Sequence, residues 1–339
     1  MARTGTIDDR TQWDGDQYAP SPGVAATGVL GAASFLAATA AHIGSAVAHL
    51  VTRLGLLYRI RRQRRVPRAV LDRVFDDSMS TVTVLVPSRG DDAGAVRSAL
   101  LSAALQDCPD VRIVLMVDDP TPSSDRRHAA TLKATRELPD EINELLSGPG
   151  AVFTRTLEAF ESRVSPDYQP DGAEIERLAN TYGIAAAWLD RLADDEEADD
   201  RADHCFLDEV LRSLASDIRN IAAALHEMAH QGNTLGADRV HQLYRRLAWT
   251  FRAHVTSFEG RQDGASELSI PDPDYVLIVE PNSMLRPEYC LRMVHLLQRA
   301  GHQQVATAQN PLRAFPGSAT RHERIANGQT DRGTYLIRA

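Results

Sequence analysis

The sequence has few of the features that mark several large classes of protein. Its 339 residues include only three cysteines, Cys108, Cys205 and Cys290, which lie far apart and form no CxxC pair. This spacing argues against a disulfide framework and against a cysteine-based zinc site, and it fits a reducing compartment. Positive charge is also outnumbered, because 46 Asp and Glu residues against 37 Lys and Arg give a formal net charge of −9. A chain of this charge lacks the basic surface that nucleic acid binding requires, so we expect no nucleic acid partner.

Charged residues are missing from one long stretch near the N-terminus. Residues 23–51 contain no Lys, Arg, Asp or Glu, and a helix of this length could cross a bilayer. We therefore predict a transmembrane or membrane-associated helix over residues 23–58. The alternative is a buried or surface helix, because Ala and Gly dominate the stretch and it also contains His42 and His49.

The flanks of this apolar stretch differ from each other. Residues 1–22 are polar and rich in Gly, Pro and Asp, which predicts a disordered leader. Seven arginines follow the apolar stretch, and they predict a basic linker helix over residues 59–80. They are Arg53, Arg59, Arg61, Arg62, Arg64, Arg65 and Arg68. The positive-inside bias then places the protein in the membrane with its C-terminal side in the cytoplasm. An alternative role for the arginines is binding anionic lipid headgroups.

The central region predicts a parallel β-sheet. A β-branched apolar run at residues 81–87 and a second apolar run at 111–117 both have strand length, and a helical pattern at 93–106 separates them. Asp91 or Asp92 can cap that helix. Strand, helix and strand in this order form a βαβ unit, in which both strands end at the same edge of the sheet.

A helical block interrupts the α/β pattern and separates it into two parts, 81–123 and 269–339. Within the predicted insertion, residues 124–268, apolar positions recur at helical spacing, including a stretch from Val240 to Phe258. The acidic run from Asp190 to Asp203 reads as a solvated loop or helix face. The α/β pattern then resumes with a strand at 275–279, a helix at 287–300 and a short strand at 305–308.

Polar residues follow the first two predicted strands. Residues 88–92 come after the first strand and Asp118-Asp119 come after the second. Ligands of open α/β sheets bind at this edge, and carboxylates there can accept hydrogen bonds from a base or ribose, or help to hold a divalent cation. The competing interpretation is ordinary helix capping and turn formation.

Seven short stretches form an ordered set of motifs in the two α/β parts. They are Thr81–Ser88, Ser98–Gln106, Val114–Pro120, Pro273–Tyr289, Gln309–Pro311, Phe315–Gly317 and Glu323–Ala326. Their succession resembles the family-two glycosyltransferases, especially the cellulose-synthase-like branch. The resemblance covers about residues 80–122 and 270–332, and the order of the motifs is more specific than any one of them.

The resemblance implies a GT-A fold, a Rossmann-like sheet that binds a nucleoside-diphosphate sugar, usually UDP-linked, with Mg²⁺ or Mn²⁺. Carried over by position, Asp91 and Asp119 would contact the uridine, with Asp118 beside them. Glu280 and Asn282 occupy the two outer positions of the family's DxD motif and would meet the diphosphate and the metal. The implied reaction transfers the sugar to a glycan acceptor with inversion, while an aspartate base deprotonates the acceptor hydroxyl.

The sequence departs from the family's pattern in its second part. Asn282 offers a neutral amide oxygen in place of a carboxylate, so we expect a weakened metal site. The family's lysine- and asparagine-containing stretch before DxD is missing, and neither its acidic base motif nor its QxxRW motif follows Asn282. The catalytic residue is therefore unknown. We expect the GT-A domain to be incomplete in residues 269–339, with the chain ending before the acceptor site is built.

Two other functions remain open. His226-Glu227-Met228-Ala229-His230 is a formal HExxH pattern, which on a helix would bind zinc in a metallohydrolase. It lacks a third ligand at a suitable distance, so the competing interpretation is a solvated helix face. The other possibility is a catalytically inactive, glycosyltransferase-like membrane scaffold or regulatory protein. The helical insertion would then be the surface for a protein partner.

Overall fold

The computed structural model describes residues 22–62, 66–77, 80–118, 126–165, 167–252, 254–260 and 272–299. The chain divides into two units, residues 1–66 and residues 67–339. The predicted leader lies outside the described residues except for Pro22, where the first helix begins. The predicted strand at 305–308 and the motifs after it also lie outside them.

The first unit contains one long helix, α1, over Pro22–Arg62. Within it, Leu30–Gly55 form a 26-residue apolar segment, which at 1.5 Å per residue is longer than the ~30 Å hydrocarbon core of a bilayer. Its large side chains are exposed on all sides, from Leu30 and Phe35 to Leu54. The helix is thus long and apolar enough to cross a membrane, a property that membrane spans and signal sequences share.

The second unit begins with helix α2, Arg68–Asp77, inside the predicted linker of residues 59–80. A sheet of four parallel strands follows, in the order β3-β2-β1-β4. The strands are β1 Val82–Ser88, β2 Val111–Asp118, β3 His254–Gly260 and β4 Tyr275–Ile278. Helix α3, Ala93–Ala104, joins β1 to β2. The mixed α/β class and the predicted βαβ unit are confirmed.

The described residues of the helical insertion form five α-helices. They are α4 Arg126–Glu161, α5 Gly172–Asp195, α6 Arg201–Phe206, α7 Ser213–His230 and α8 Ala237–Thr250, with a π-helical turn over Leu207–Arg212 between α6 and α7. A ninth helix, α9, spans Tyr289–Gln298 after β4. The acidic run lies where α5 ends and α6 begins, and Asp200 and Asp203 form a capping box there.

Strand β3 corrects the sequence interpretation. The periodicity predicted helix from Val240 to Phe258, but α8 ends at Thr250 and His254–Gly260 pair in parallel with β2. The Asn143 side chain pairs with the backbone of the new strand. It donates to the Val255 carbonyl and accepts from the Val255 N–H, both at 2.8 Å. A strand at the edge of a sheet is specified by its neighbour more than by its own residues, so the local pattern did not show it.

The two faces of the sheet have different surroundings. On one face Val84, Val86, Ile113, Leu115 and Val255 are almost fully buried. On the other face Thr83 and Val114 are also buried, but Leu85, Pro87 and Met116 have intermediate burial, and Val276 and Ile278 are 57% and 69% exposed. Because side chains alternate along a strand, this difference decides which residues at the strand ends can reach a ligand.

Candidate functional site

The carboxyl ends of β1 and β4 form the topological switch point of the sheet. The chain passes from β1 to β2 to β3 in one direction and then returns to place β4 on the other side of β1. Loops that leave two neighbouring strands in opposite directions open a crevice, and ligands of open α/β sheets bind in it. Two loops border this crevice, residues 88–92 after β1 and residues 280–282 after β4.

Three charged side chains lie on the partly exposed face at this edge. Arg89 follows β1, Asp118 ends β2, and Glu280 comes two residues after β4. Arg89 and Asp118 are 77% and 42% exposed, and Glu280 is exposed. Their predecessors Ser88, Val117 and Val279 alternate to the buried face, and all three are at most 3% exposed.

The loop after β1 is held by two aspartates with different tasks. Asp92 caps α3, since its carboxylate accepts a hydrogen bond from the Ala95 N–H at 3.0 Å. Asp91 accepts from the Arg89 N–H at 2.9 Å and is exposed. The capping interpretation therefore applies to Asp92, and Asp91 retains acceptor capacity for a ligand.

Arg89 and Asp118 join the ends of β1 and β2. The Arg89 Nε lies 3.0 Å from the Asp118 Oδ2. Asp119, the other half of the predicted uridine-binding pair, lies outside the described residues. Asp118 thus stands at the predicted place at the edge of the sheet, with a basic partner that the sequence did not reveal.

His128 is a further residue at this edge that the sequence analysis missed. It lies in the first turn of α4, and its imidazole lies directly against Gly90, which has φ +82°. A Cβ at position 90 would come within 2.4 Å of the His128 Cε1, so only glycine allows this contact and this backbone conformation. No local motif marks His128, because its place depends on how α4 packs.

Glu280 and Asn282 lie in a turn after β4, in which the Glu280 carbonyl accepts from the Ser283 N–H at 2.9 Å. Both side chains are exposed. Glu280 and Asp118 are not on adjacent strands, because β1 separates β4 from β2 by two strand spacings, about 10 Å. Among the residues with described side chains, no cluster of three or more His, Cys, Asp or Glu could hold a metal ion. A cation here would depend on Glu280, Asn282 and the ligand's own oxygens.

Two cavities in the described part of the molecule have volumes of about 10 Å³ each, which suits one water molecule. Both adjoin Arg246, one with Asp72 and Arg239 and the other with Asp107 and Tyr182. Neither is lined by residues of the switch-point loops.

Away from the switch point, Asp107 is the centre of a buried ionic network. Its carboxylate accepts from Arg246 Nε at 2.9 Å and from Arg246 Nη2 at 2.5 Å, and it also pairs with Arg68. Burial by itself raises the pKa of the Asp107 carboxyl, but the charges of Arg246 and Arg68 outweigh it and hold the pKa below its usual range. Arg68 continues the network to Asp72 and Glu288.

A second buried carboxylate, Glu174, lies in the first turn of α5. It accepts from Arg163 and Arg177 at 3.0 and 2.7 Å and from the Tyr244 hydroxyl at 3.0 Å. Burial favours its neutral form, but the hydrogen bonds from Arg177, Tyr244 and Arg163 hold its pKa below the usual range. Both buried carboxylates are therefore ionised and fully engaged within the fold, which gives them a structural task.

The HExxH pattern lies at the C-terminal end of α7. His226 Nδ1 is 3.0 Å from the Glu176 Oε1, and Glu227 accepts from the Gln231 side chain. No third metal-binding side chain joins them among the residues with described side chains. These contacts are those of a solvated helix end, the competing interpretation of the pattern.

Comparisons of this chain with protein-family models, with curated proteins and with solved structures find no match. The α/β class is established by the parallel sheet itself. A function for the chain has to be argued from the switch-point residues and their chemistry.

Proposed function

We propose that the second unit is a GT-A-like domain of a glycosyltransferase family 2-like protein, and that it binds a nucleotide sugar, a UDP-sugar, at its switch point. The observation that carries this proposal is the strand order. Because β1 lies between β2 and β4, residues that are far apart in the sequence, Asp91, Asp118 and Glu280, lie along one edge of the sheet. These are positions to which the resemblance assigns donor contacts.

The residues at this edge suit the nucleoside part of such a ligand. Carboxylates at Asp91 and Asp118 can accept hydrogen bonds from the imide N–H of uracil and from ribose hydroxyls. Pro87 and Met116 offer a half-buried apolar surface next to them on the same face. By resemblance, Asp119 would join these contacts. Apolar surface with a few directed polar groups is the usual composition of a small-molecule site.

Glu280 and Asn282 are the proposed ligands for Mg²⁺ or Mn²⁺. A bound cation would neutralise charge on the diphosphate and stabilise it as a leaving group. One carboxylate and one amide oxygen form a weaker site than two carboxylates. Substitution of both residues by aspartate is therefore expected to raise the affinity for UDP in the presence of Mn²⁺.

Calorimetric titration of the full chain in detergent micelles with UDP and UDP-sugars tests the proposal. Asp91→Asn and Asp118→Asn are expected to weaken UDP binding about tenfold each, because each removes a charge-assisted hydrogen bond. Asp110→Asn is the matched control, since Asp110 precedes β2 at the opposite edge and is also exposed. Failure of the wild-type chain to bind any of these ligands, with or without Mn²⁺, would contradict the proposal.

A catalytically inactive scaffold is the second candidate function, and Asn282 at the metal position favours it. Transfer to a glycan acceptor needs a base, and none of the described switch-point residues is assigned that role. Incubation with radiolabelled UDP-sugar distinguishes the two functions. Release of UDP or labelled glycan indicates an enzyme in polysaccharide biosynthesis, whereas UDP binding without turnover indicates a binding protein, with the helical insertion as the proposed partner surface.

The membrane attachment is also part of the proposal. We infer that α1 anchors the protein in the membrane and that the α/β unit lies in the cytoplasm, because arginines follow the apolar segment. Protease treatment of sealed vesicles tests this orientation. Right-side-out cell vesicles should protect the C-terminal unit, and degradation of that unit there would contradict the inference.

A further inference from the structure

The nucleotide contacts proposed above leave out one largely exposed charged group of the switch point, the guanidinium of Arg89. Arg89 directly follows the central strand, with β2 on one side and β4 on the other. We propose that Arg89 binds the diphosphate of the nucleotide sugar, so that the protein itself supplies a cation at this position. This inference rests on the proposed function and adds a specificity-determining residue to the same site.

The position of Arg89 suits this role. Asp118, the proposed contact for the nucleoside, lies on the β2 side, and Glu280, the proposed contact near the diphosphate, lies on the β4 side. All three lie on the same, partly exposed face of the sheet, and the Arg89 side chain is 77% exposed. A ligand that extends from Asp118 towards Glu280 must pass the end of β1, and therefore Arg89.

The loop holds the backbone of Arg89 in place, whereas its side chain is largely exposed to solvent. The Asp91 carboxylate accepts from the Arg89 N–H, and Gly90 packs against His128. The guanidinium, by contrast, is held by one solvent-exposed ion pair to Asp118. A guanidinium positioned in this way can turn from a carboxylate to a phosphate without movement of the strand.

Arg89 should gain more binding free energy from a phosphate than it loses when it leaves Asp118. An exposed ion pair changes an equilibrium by less than about fivefold. Charge-assisted and bidentate hydrogen bonds from arginine to a phosphate contribute about tenfold or more. Release of Asp118 also frees its oxygens for the nucleoside, so the pair opens as the ligand enters.

The weakened metal position explains why a second cation is needed. Glu280 has the one negative charge of the two DxD positions, because Asn282 is neutral. A site that binds its cation less tightly leaves more of the diphosphate charge to be neutralised by protein groups. Arg89 supplies a positive charge at the end of β1, the strand between β2 and β4. We therefore expect the diphosphate to bind even when the metal is removed.

Titration of the detergent-solubilised full chain with UDP and with uridine, in EDTA and in Mn²⁺, tests the inference. In EDTA, Arg89→Gln should weaken UDP binding about tenfold and change uridine binding less than twofold. Arg112→Gln is the matched control, because Arg112 lies at the opposite end of β2 with a loose pair to Asp110 at 3.9 Å. Arg89→Lys should recover part of the loss, since it keeps the charge but not the planar fork.

The outcomes separate this inference from the proposed function. Wild-type binding of UDP that Arg89→Gln leaves unchanged, or that disappears completely in EDTA, would overturn the role of Arg89 and leave the nucleotide site standing. An equal loss for uridine and UDP would also overturn it, because the substitution would then act on the loop. If the wild-type chain binds neither ligand, both proposals are overturned.

Discussion

The molecule contains two clusters of charge that differ in burial. In the first, around Asp107, the carboxylate is 2% exposed and the Arg246 side chain 14%, and both are held by several partners. In the second, around Asp118, Arg89 and Asp118 share one ion pair in solvent. Buried charges need complete pairing, because their desolvation is costly, whereas exposed charges can exchange partners. The comparison indicates that Asp107 stabilises the fold, whereas the pair of Arg89 and Asp118 contributes little to stability.

Loss of the Asp107 carboxylate should show the largest contrast between the two clusters. Asp107→Ala leaves the buried guanidinium of Arg246 without its main partner, and we expect the free energy of unfolding to fall by about 3–5 kcal/mol. Urea unfolding followed by circular dichroism measures it. A change below about 1 kcal/mol would mean that water solvates the Arg246 guanidinium in place of Asp107. The two clusters would then contribute similarly to stability.

Acid should destabilise the fold through its two buried carboxylates, Asp107 and Glu174. The pKa values of Asp107 and Glu174 are lowered, so at acidic pH the unfolded chain binds more protons than the folded chain. Their contribution is complete above the unfolded pKa values of about 4 and is lost as the pH falls through the lower, folded values. We expect the urea midpoint to decrease below about pH 4, and less steeply in Glu174→Gln. Equal slopes in both proteins would contradict this assignment.

A smaller effect is expected at the loop that supports the exposed cluster. Gly90→Ala would place a Cβ against His128 and a side chain at positive φ, so we expect a loss of about 1–3 kcal/mol. Gly90→Ala combined with His128→Ala removes the clash but not the backbone strain, and should recover part of the stability. Thermal unfolding compares the three proteins. No recovery in the double variant would mean that His128 does not pack on Gly90.

The smallest effect on stability is expected in the exposed pair itself. Asp118→Asn and Arg89→Gln should each change the free energy of unfolding by less than about 0.5 kcal/mol, as exposed ion pairs usually do. The same variants are expected to weaken ligand binding. An effect on binding without an effect on stability would distinguish the Asp118 cluster from the Asp107 cluster. A destabilisation above about 2 kcal/mol would assign the pair to the fold instead.

Several elements could be predicted from the sequence because their signals are local. The strands at 82–88, 111–118 and 275–278 were expected within one residue at either end, since β-branched runs between turn residues favour strands. Helices α1 and α3 were expected from their apolar patterns and, for α3, from an aspartate at the cap. Asp91 and Asp118 were expected at the sheet edge because polar residues follow the first two strands, whereas Glu280 was assigned by the resemblance to the DxD motif.

Other elements had no local signal. The seven residues of β3 became a strand by pairing with β2, and the helical periodicity before them continued too far along the sequence. No sequence motif predicted a place in the site for Arg89 or His128, because an arginine in a turn and a histidine on a helix are common in proteins. The Asp107 network joins α2, α8 and the loop after α3, which no spacing rule connects.

The sequence by itself determined that this protein has an apolar helix followed by an α/β unit with acidic residues at the strand ends. Those features follow from hydrophobic periodicity and turn chemistry, which act over a few residues. The tertiary structure alone decided the strand order, and with it which strand ends are neighbours. Long-range pairing and packing set that order, and they bring Arg89 to Asp118, His128 to Gly90 and Glu280 to the same edge.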